Sequence, residues 1–278
     1  LWILWFEWSL KQALKKYRID VLWSPDGFCS LRSSVPQIAT IHDLNFEHYP
    51  KDLPWIVSRY FRFFFPKFAK KAKRILTVSH FSKADIVRTY GIPPEKISVI
   101  YNGIHDDFEQ KSTAEIESTR ANYSNGKPYF LFVGSLHPRK NVQRLVEAFS
   151  EFCKRNADID LVIVGNAMWK QEIFQLAPET KNRVHFLGHL STPQLSQVMG
   201  GAFALSYVPY FEGFGIPLVE AMRCGIPIVS ANTTCLPEIA GDAAIYCDPF
   251  SVQGIAEQLH ALTEDKTLHQ HFLALSNP

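Results

Sequence analysis

YFEGFGIPLVEAMRCGIPIVS, Tyr210 to Ser230, is the stretch that decides the fold. Glu212 stands in a loop, Gly213-Phe214-Gly215 makes a turn, and Pro217 suits a first helical position, where its missing N–H costs nothing. Gly225 suits the helix exit, and Ile226 to Ser230 reads as a short buried strand. A glycine turn, a helix starting at Ile216 or Pro217 and a strand make one unit of a parallel α/β sheet. The free amides of the turn lie at the positive end of the helix, where phosphate or carboxylate is favoured. Gly213 and Gly215 let a bound group come close to the backbone. Glu220, expected in the first helical turn, could accept hydrogen bonds from two neighbouring hydroxyls of a ribose or hexose. A glutamate there also serves simply to complement the helix dipole.

Working outward, the same alternation of short apolar strands and helices runs through the chain. Strands are expected at 19–23, 35–41, 74–78 and 97–101, then at 129–133, 161–164, 184–187, 205–209, 226–230 and 243–246. Helices are expected at 2–17, 55–74, 80–90, 142–152 and 251–263, with Pro66 breaking or kinking the second of them. The polar stretch 105–126 reads as a linker between a first domain, 1–104, and a second, 127–278.

Composition narrows the function classes. With 278 residues, 46% hydrophobic and 20% charged, the chain is a globular protein long enough for two ordinary domains. A net charge of +2 gives no whole-molecule case for nucleic acid as a partner. The five cysteines are odd in number and lack C-x-x-C spacing, which fits free thiols in a reducing compartment and not a disulfide frame or zinc site. The opening LWILWFEWSL is too short to span a bilayer and has no basic leader. It reads as a helix entered midway, so the chain is expected to be a fragment.

Two loops carry candidate chemistry. His42-Asp43 follows the second strand, and ligands of open α/β sheets bind at the carboxyl ends of strands. A structural histidine is the alternative there. Gly134-Ser135-Leu136-His137-Pro138-Arg139-Lys140-Asn141 joins a strand to a helix, with two cations at the helix mouth where a diphosphate would need them. The loop is neither G-x-G-x-x-G nor a Walker loop. Between Arg59 and Arg74, seven basic residues and no acidic ones interleave with aromatics. That pattern suits an anionic membrane surface or an ordinary helix packed on its sheet.

The glutamate pair around GFGIPLV, with seven residues between, resembles the E-x7-E motif of retaining glycosyltransferases of family 4. GSLHPRKN, IATIHDLNFEHYP and VIYNGI resemble that family too, in the same order, so the resemblance covers nearly the whole chain. It implies a GT-B fold, two Rossmann-like parallel-sheet domains facing a cleft, with the first domain incomplete here. It implies sugar transfer with retention from a nucleotide sugar, without a metal, cytoplasmic or peripheral on the inner face of the membrane.

Residue by residue, the resemblance makes His42, Glu212, Arg139 and Lys140 catalytic. Gly134, Ser135, Arg139, Lys140, Phe186, Leu187, Glu212, Gly213, Phe214, Gly215, Ile216 and Glu220 become the donor contacts. Asp43 and Glu47 fall on the acceptor side. Ser135 stands where many relatives have arginine, which leaves open what holds the second phosphate. GSLHPRKN is most similar to bacterial mannosyltransferases, implying GDP-mannose ahead of a UDP-hexose, with a glycan or lipid-linked acceptor and no cofactor. A nucleotide-sugar epimerase, a phosphorylase, or a fragment that binds donor without turnover remain alternatives.

Overall fold

The computed structural model describes residues 5–166 and 176–275. The expected first helix begins outside them; within them it is a π-helical turn, Trp5–Ser9, followed by α1, Leu10–Lys16. The chain divides into two compact units: Leu1–Asn102 with Glu212–Phe214, and Gly103–Phe211 with Gly215–Pro278.

The first unit is built on four parallel strands in the order β1 (Leu22–Ser24), β2 (Gln37–Thr40), β3 (Arg74–Thr77) and β4 (Ile97–Val99). The expected strand 19–23 starts late because its neighbour in the sheet, β2, begins at Gln37, paired with Leu22. Ile19 and Val21 are exposed. After β2 come the short α2 (Asn45–His48) and α3 (Trp55–Lys71).

α3 runs through Pro66 without the break that was one of the two expected outcomes. Proline removes one helical hydrogen bond and crowds the preceding turn, at a cost of about 3 kcal/mol. Burial of Phe65, Phe68 and Ala69 on the same helix offsets this. Phe65 packs edge-on against Phe28 and Phe46, with centroids 5.4 and 4.9 Å away, so the aromatic run is largely core. α4, His80–Tyr90, starts at Ser79, whose hydroxyl accepts from the Ser82 N–H, and stops at Gly91 in a left-handed conformation.

The second unit opens with α5, Thr113–Tyr123, inside the stretch expected to be linker. Its start is a capping box: Ser112 Oγ accepts from the Glu115 N–H, and the Glu115 carboxylate accepts from the Ser112 N–H at 2.9 Å. Arg120 Nε donates to Gly201 O at 2.9 Å and Thr119 is buried, so this helix is part of the second unit. Six parallel strands follow: β5 (Tyr129–Val133), β6 (Asp160–Val164), β7 (Val184–Gly188), β8 (Ala204–Tyr207), β9 (Ile228–Ala231) and β10 (Ala244–Cys247). The apolar runs of the four central strands, β9, β8, β5 and β6, are buried on both faces, as in a sheet covered by helices. Those helices include α6 (Val142–Cys153), α7 (Thr192–Gly201), α8 (Ile216–Arg223), α9 (Leu236–Ala240), α10 (Val252–Glu264) and α11 (Lys266–Leu275).

Strand order is β10-β9-β8-β5-β6-β7. The chain winds outward from β5 through β6 to β7, then returns to the other side of β5 as β8. The switch point lies between β5 and β8, and open α/β sheets bind ligands outside the carboxyl ends of the strands at such a point. The loops leaving it are Gly134 to Asn141 and Val208 to Gly215.

Candidate active site

Gly134 closes β5, its N–H donating to Val164 O at 3.0 Å, and Gly165 closes β6 with its N–H on Gly188 O at 2.8 Å. At Gly165, φ is +143° and a Cβ would lie 1.8 Å from Gly134 O, so only glycine lets the two turns meet. Gly134 itself has φ +149°. Beyond it, Ser135 is half-buried, and Pro138–Lys140 forms a single 3₁₀ turn whose first amide, from Arg139, donates to His137 Nδ1.

This turn is tied to the segment leaving β8. Arg139 O accepts from the Tyr210 N–H at 3.0 Å, and Arg139 Nη1 donates to Phe211 O at 3.0 Å. Lys140 is only 8% exposed, with Nζ donating to Tyr207 Oη at 2.5 Å. Asn141 takes a left-handed conformation, φ +63°, which asparagine tolerates, and its Nδ2 donates to Val208 O and Pro249 O at 2.9 and 2.7 Å. Three consecutive residues thus anchor both expected cations to the end of β8.

The glycine turn at the head of α8 is as the sequence implies. Gly215 has φ +88°, and a Cβ there would meet Leu236 at 2.8 Å. Ile216 is exposed at the helix start and Pro217 is the second helical residue. Glu220 is a correction: the helix starts at Ile216, so Glu220 is its fifth residue and no acid lies in the first turn. It is therefore not a dipole partner of the ordinary kind. Its carboxyl is half-buried and has no hydrogen-bond or ionic partner among the described residues. Burial pushes it from the ordinary 4.5 up to about 7. Phe186, exposed, and Leu187, half-buried, stand on edge strand β7.

In the first unit, His42 is exposed beyond β2, and its Nε2–H donates to Pro25 O at 3.0 Å, leaving Nδ1 as the other ring nitrogen. Asp43 Oδ1 accepts from the Asn45 N–H at 2.9 Å, an Asx turn. Glu47 accepts from Tyr90 Oη at 3.0 Å and from Arg62 Nε at 3.2 Å, which ties α2 to α4 and α3. Glu212 is buried, as is Phe214, whose ring lies 5.7 Å from that of Tyr101. Gly213 packs on the histidine loop so closely that a Cβ would lie 2.3 Å from His42 O. Gly213 O accepts from Ser79 Oγ at 2.7 Å, and Ser82 Oγ donates to His42 O at 3.0 Å.

Ser79, Ser82, Asn141 and Tyr207 were missed by sequence reasoning. Ser79 had a signal, the S-x-x-S cap of α4; the contacts of Tyr207 come only with the fold. Elsewhere in the second unit, a cavity of about 510 Å³ is lined by Lys111, Arg120, Phe203, Pro227 and His269, among others. Phe203 and Pro227 precede β8 and β9, so it lies at the amino ends of the strands and belongs to neither switch-point loop.

The switch-point loops of the second unit thus bring together two anchored cations, and the helix that follows β8 carries a carboxyl without a partner among the described residues. Residues 114–273 match the group 1 glycosyl transferases and residues 1–108 match glycosyltransferase family 4; the chain belongs to the group 1 glycosyl transferases. It is 30% identical over 263 residues to O-antigen chain mannosyltransferase B of Escherichia coli, covering 91% of this chain and 68% of that protein. To the O-antigen chain mannosyltransferase RfbU of Salmonella typhimurium it is 31% identical over 257 residues, covering 90% and 67%. In structure it is similar to HepE of Anabaena, solved in complex with UDP-glucose, with a TM-score of 0.81 at 20% identity over 96% of this chain and 75% of that one. The two Rossmann-like units are those of a GT-B glycosyltransferase.

Proposed function

We propose that this glycosyltransferase moves a hexose, mannose ahead of others, from a nucleotide sugar to a glycan or lipid-linked acceptor in cell-surface polysaccharide synthesis, with retention at the anomeric carbon. In this reading the second unit holds the donor and the first takes the acceptor. The carrying observation is the switch point itself: Lys140 and Arg139 fixed beside β8, with the Glu220 carboxyl desolvated and unpartnered. Departure of a nucleoside diphosphate develops charge on its phosphates, and fixed cations and helix-terminal amides stabilise that charge without a metal. Glu220 accepts from the ribose hydroxyls, Glu212 and His42 hold the sugar, and Phe186 and Leu187 lie against the base. The mannosyltransferase relatives support mannose, hence GDP as the carrier.

Isothermal titration with GDP, UDP and ADP, then their sugar conjugates, tests the reading. Selective binding of GDP and GDP-mannose is expected. Preference for UDP would replace mannose by another hexose, and no binding to any of the three would overturn the donor site.

We also propose that α3 rests on an anionic lipid surface at the inner face of the membrane. Among the described residues no helix is long and apolar enough to cross a membrane. Trp55, Ile56 and Phe63 are exposed on α3, beside Arg59, Lys67 and Lys70, with Lys67 Nζ 3.2 Å from the Phe63 ring centre. Such a face gains from apolar insertion and from about 1 kcal/mol per cation at the surface. Sedimentation with phosphatidylglycerol vesicles is expected, and with phosphatidylcholine vesicles it is not. Replacing Arg59, Lys67 and Lys70 by glutamate should abolish it; unchanged sedimentation would rule this face out.

A further inference from the structure

We propose that the cavity at the amino ends of the second sheet is a binding site for a small phosphate monoester with an apolar body, separate from the switch point. The proposal does not rest on the donor reading above. A volume of about 510 Å³ is that of an ordinary small-ligand site, and the wall belongs wholly to the second unit. Lys111 and Arg120 bring two positive charges to this wall, and none of the described lining residues is acidic. The rest of the lining is largely apolar, with Ile116, Ile226 and Leu273 beside the Phe203 and His269 rings, which stack at 4.5 Å and 29°. Cys224 adds a thiol that burial pushes up to about 12, so it presents no charge.

Local structure holds both cations in place. The Lys111 stem lies over Gly200 at the end of α7, where a Cβ would come within 2.5 Å of Lys111 Cγ, so glycine makes room for it. That side chain is only 10% exposed, and its Nζ pairs with Glu109 at 3.1 Å. Arg120, half-buried on α5, donates Nε–H to Gly201 O at 2.9 Å. Its two Nη groups have no hydrogen-bond partner among the described residues, and their planar fork matches two oxygens of a phosphate. Glu109 and Glu117, the carboxylates that act on these cations, are exposed, where ion pairs gain little. Burial disfavours the charge of Arg120 in the free protein, and an anion in the cavity reverses that. A phosphate monoester, with a charge of about −1.5 to −2 near neutral pH, matches the two cations better than a carboxylate does. The switch-point loops leave the opposite ends of the strands, so nucleotide and phosphate ester bind without competing.

Titration with n-hexyl phosphate, followed through the methyl NMR signals of Ile116, Ile226 and Leu273, tests the inference. Saturable shifts at these residues are expected with hexyl phosphate, weaker binding with inorganic phosphate, and none with hexanol at the same concentrations. Lys111→Met keeps the stem over Gly200 and should weaken hexyl phosphate binding about tenfold, the loss of one hydrogen bond to a charged group. Ala274→Trp, at an exposed lining position, should abolish binding by placing an indole in the cavity. Melting temperature shows that each variant is folded, and saturating GDP should leave the shifts in place. The site would be overturned by no saturable shift in the wild type, by equal shifts with hexanol, or by displacement with GDP. Unchanged affinity in either folded variant would overturn it too. Wild-type protein that takes hexyl phosphate at these residues but binds no nucleotide would sink the donor reading and leave this site standing.

Discussion

Lys140→Met lowers turnover of the nucleotide-sugar donor by about two to three orders of magnitude, the effect of removing one preorganised charge-stabilising donor from an active site. Methionine matches the unbranched stem and the volume of lysine, so the buried position is filled and the fold is retained. What is lost is a cation held at the switch point with little water around it. In such surroundings a charge acts far more strongly than it would at the surface. In the proposed reaction the charge it meets develops as the sugar leaves, so the loss should fall on kcat more than on donor KM. Lys140→Arg is not a rescue, because a planar guanidinium is not interchangeable with a compact ammonium at a buried position. The measurement is the initial rate of nucleoside diphosphate release at saturating donor, with melting temperature as the control. Wild-type kcat in a folded Lys140→Met protein would remove Lys140 from the mechanism.

The sequence shows why Lys140 stands out only in part. Each of the ten strands expected from apolar runs is present; the four central strands of the second sheet are buried on both faces and so need continuous apolar stretches that are visible locally. The glycine turns were legible for a similar reason: Gly215 must take φ +88°, and Gly165 must admit a carbonyl that any side chain would strike. Pro66 does not break its helix because a local rule is outweighed by Phe65 and Phe68 packing in the core, a gain set by distant residues. The helix at Thr113–Tyr123 carried its S-x-x-E signal in plain view, but a polar surface made it look like linker. Tyr207 was invisible: in LSYVP it reads as one more buried strand residue, and its partner lies 67 positions away.

Glu220→Ala is expected to weaken nucleotide binding by at least about 100-fold, since two hydrogen bonds to a charged group contribute about 1.5–3 kcal/mol each. The pH dependence separates this role from a structural one. In the free protein, burial raises the Glu220 carboxyl from 4.5 to about 7, so the folded state favours its protonated form. The stability it contributes is full below about 4.5 and is lost as pH rises through 7. Glu220→Gln should therefore melt above the wild type at pH 8 and lose that advantage towards pH 5. In the proposed site, ribose hydroxyls would donate to the ionised form and draw its pKa down on binding. Nucleotide binding at pH 7 should then release protons, seen by titration in two buffers of different ionisation enthalpy, and affinity should rise from pH 6 to 8. Glu220→Gln should bind weakly at every pH with no such proton release. A variant that binds as tightly as the wild type, or a wild type whose affinity falls as pH rises, would place the ribose elsewhere. A carboxyl that costs the free protein stability above pH 7 and strengthens its hold on a ligand is what a binding site looks like before the ligand arrives.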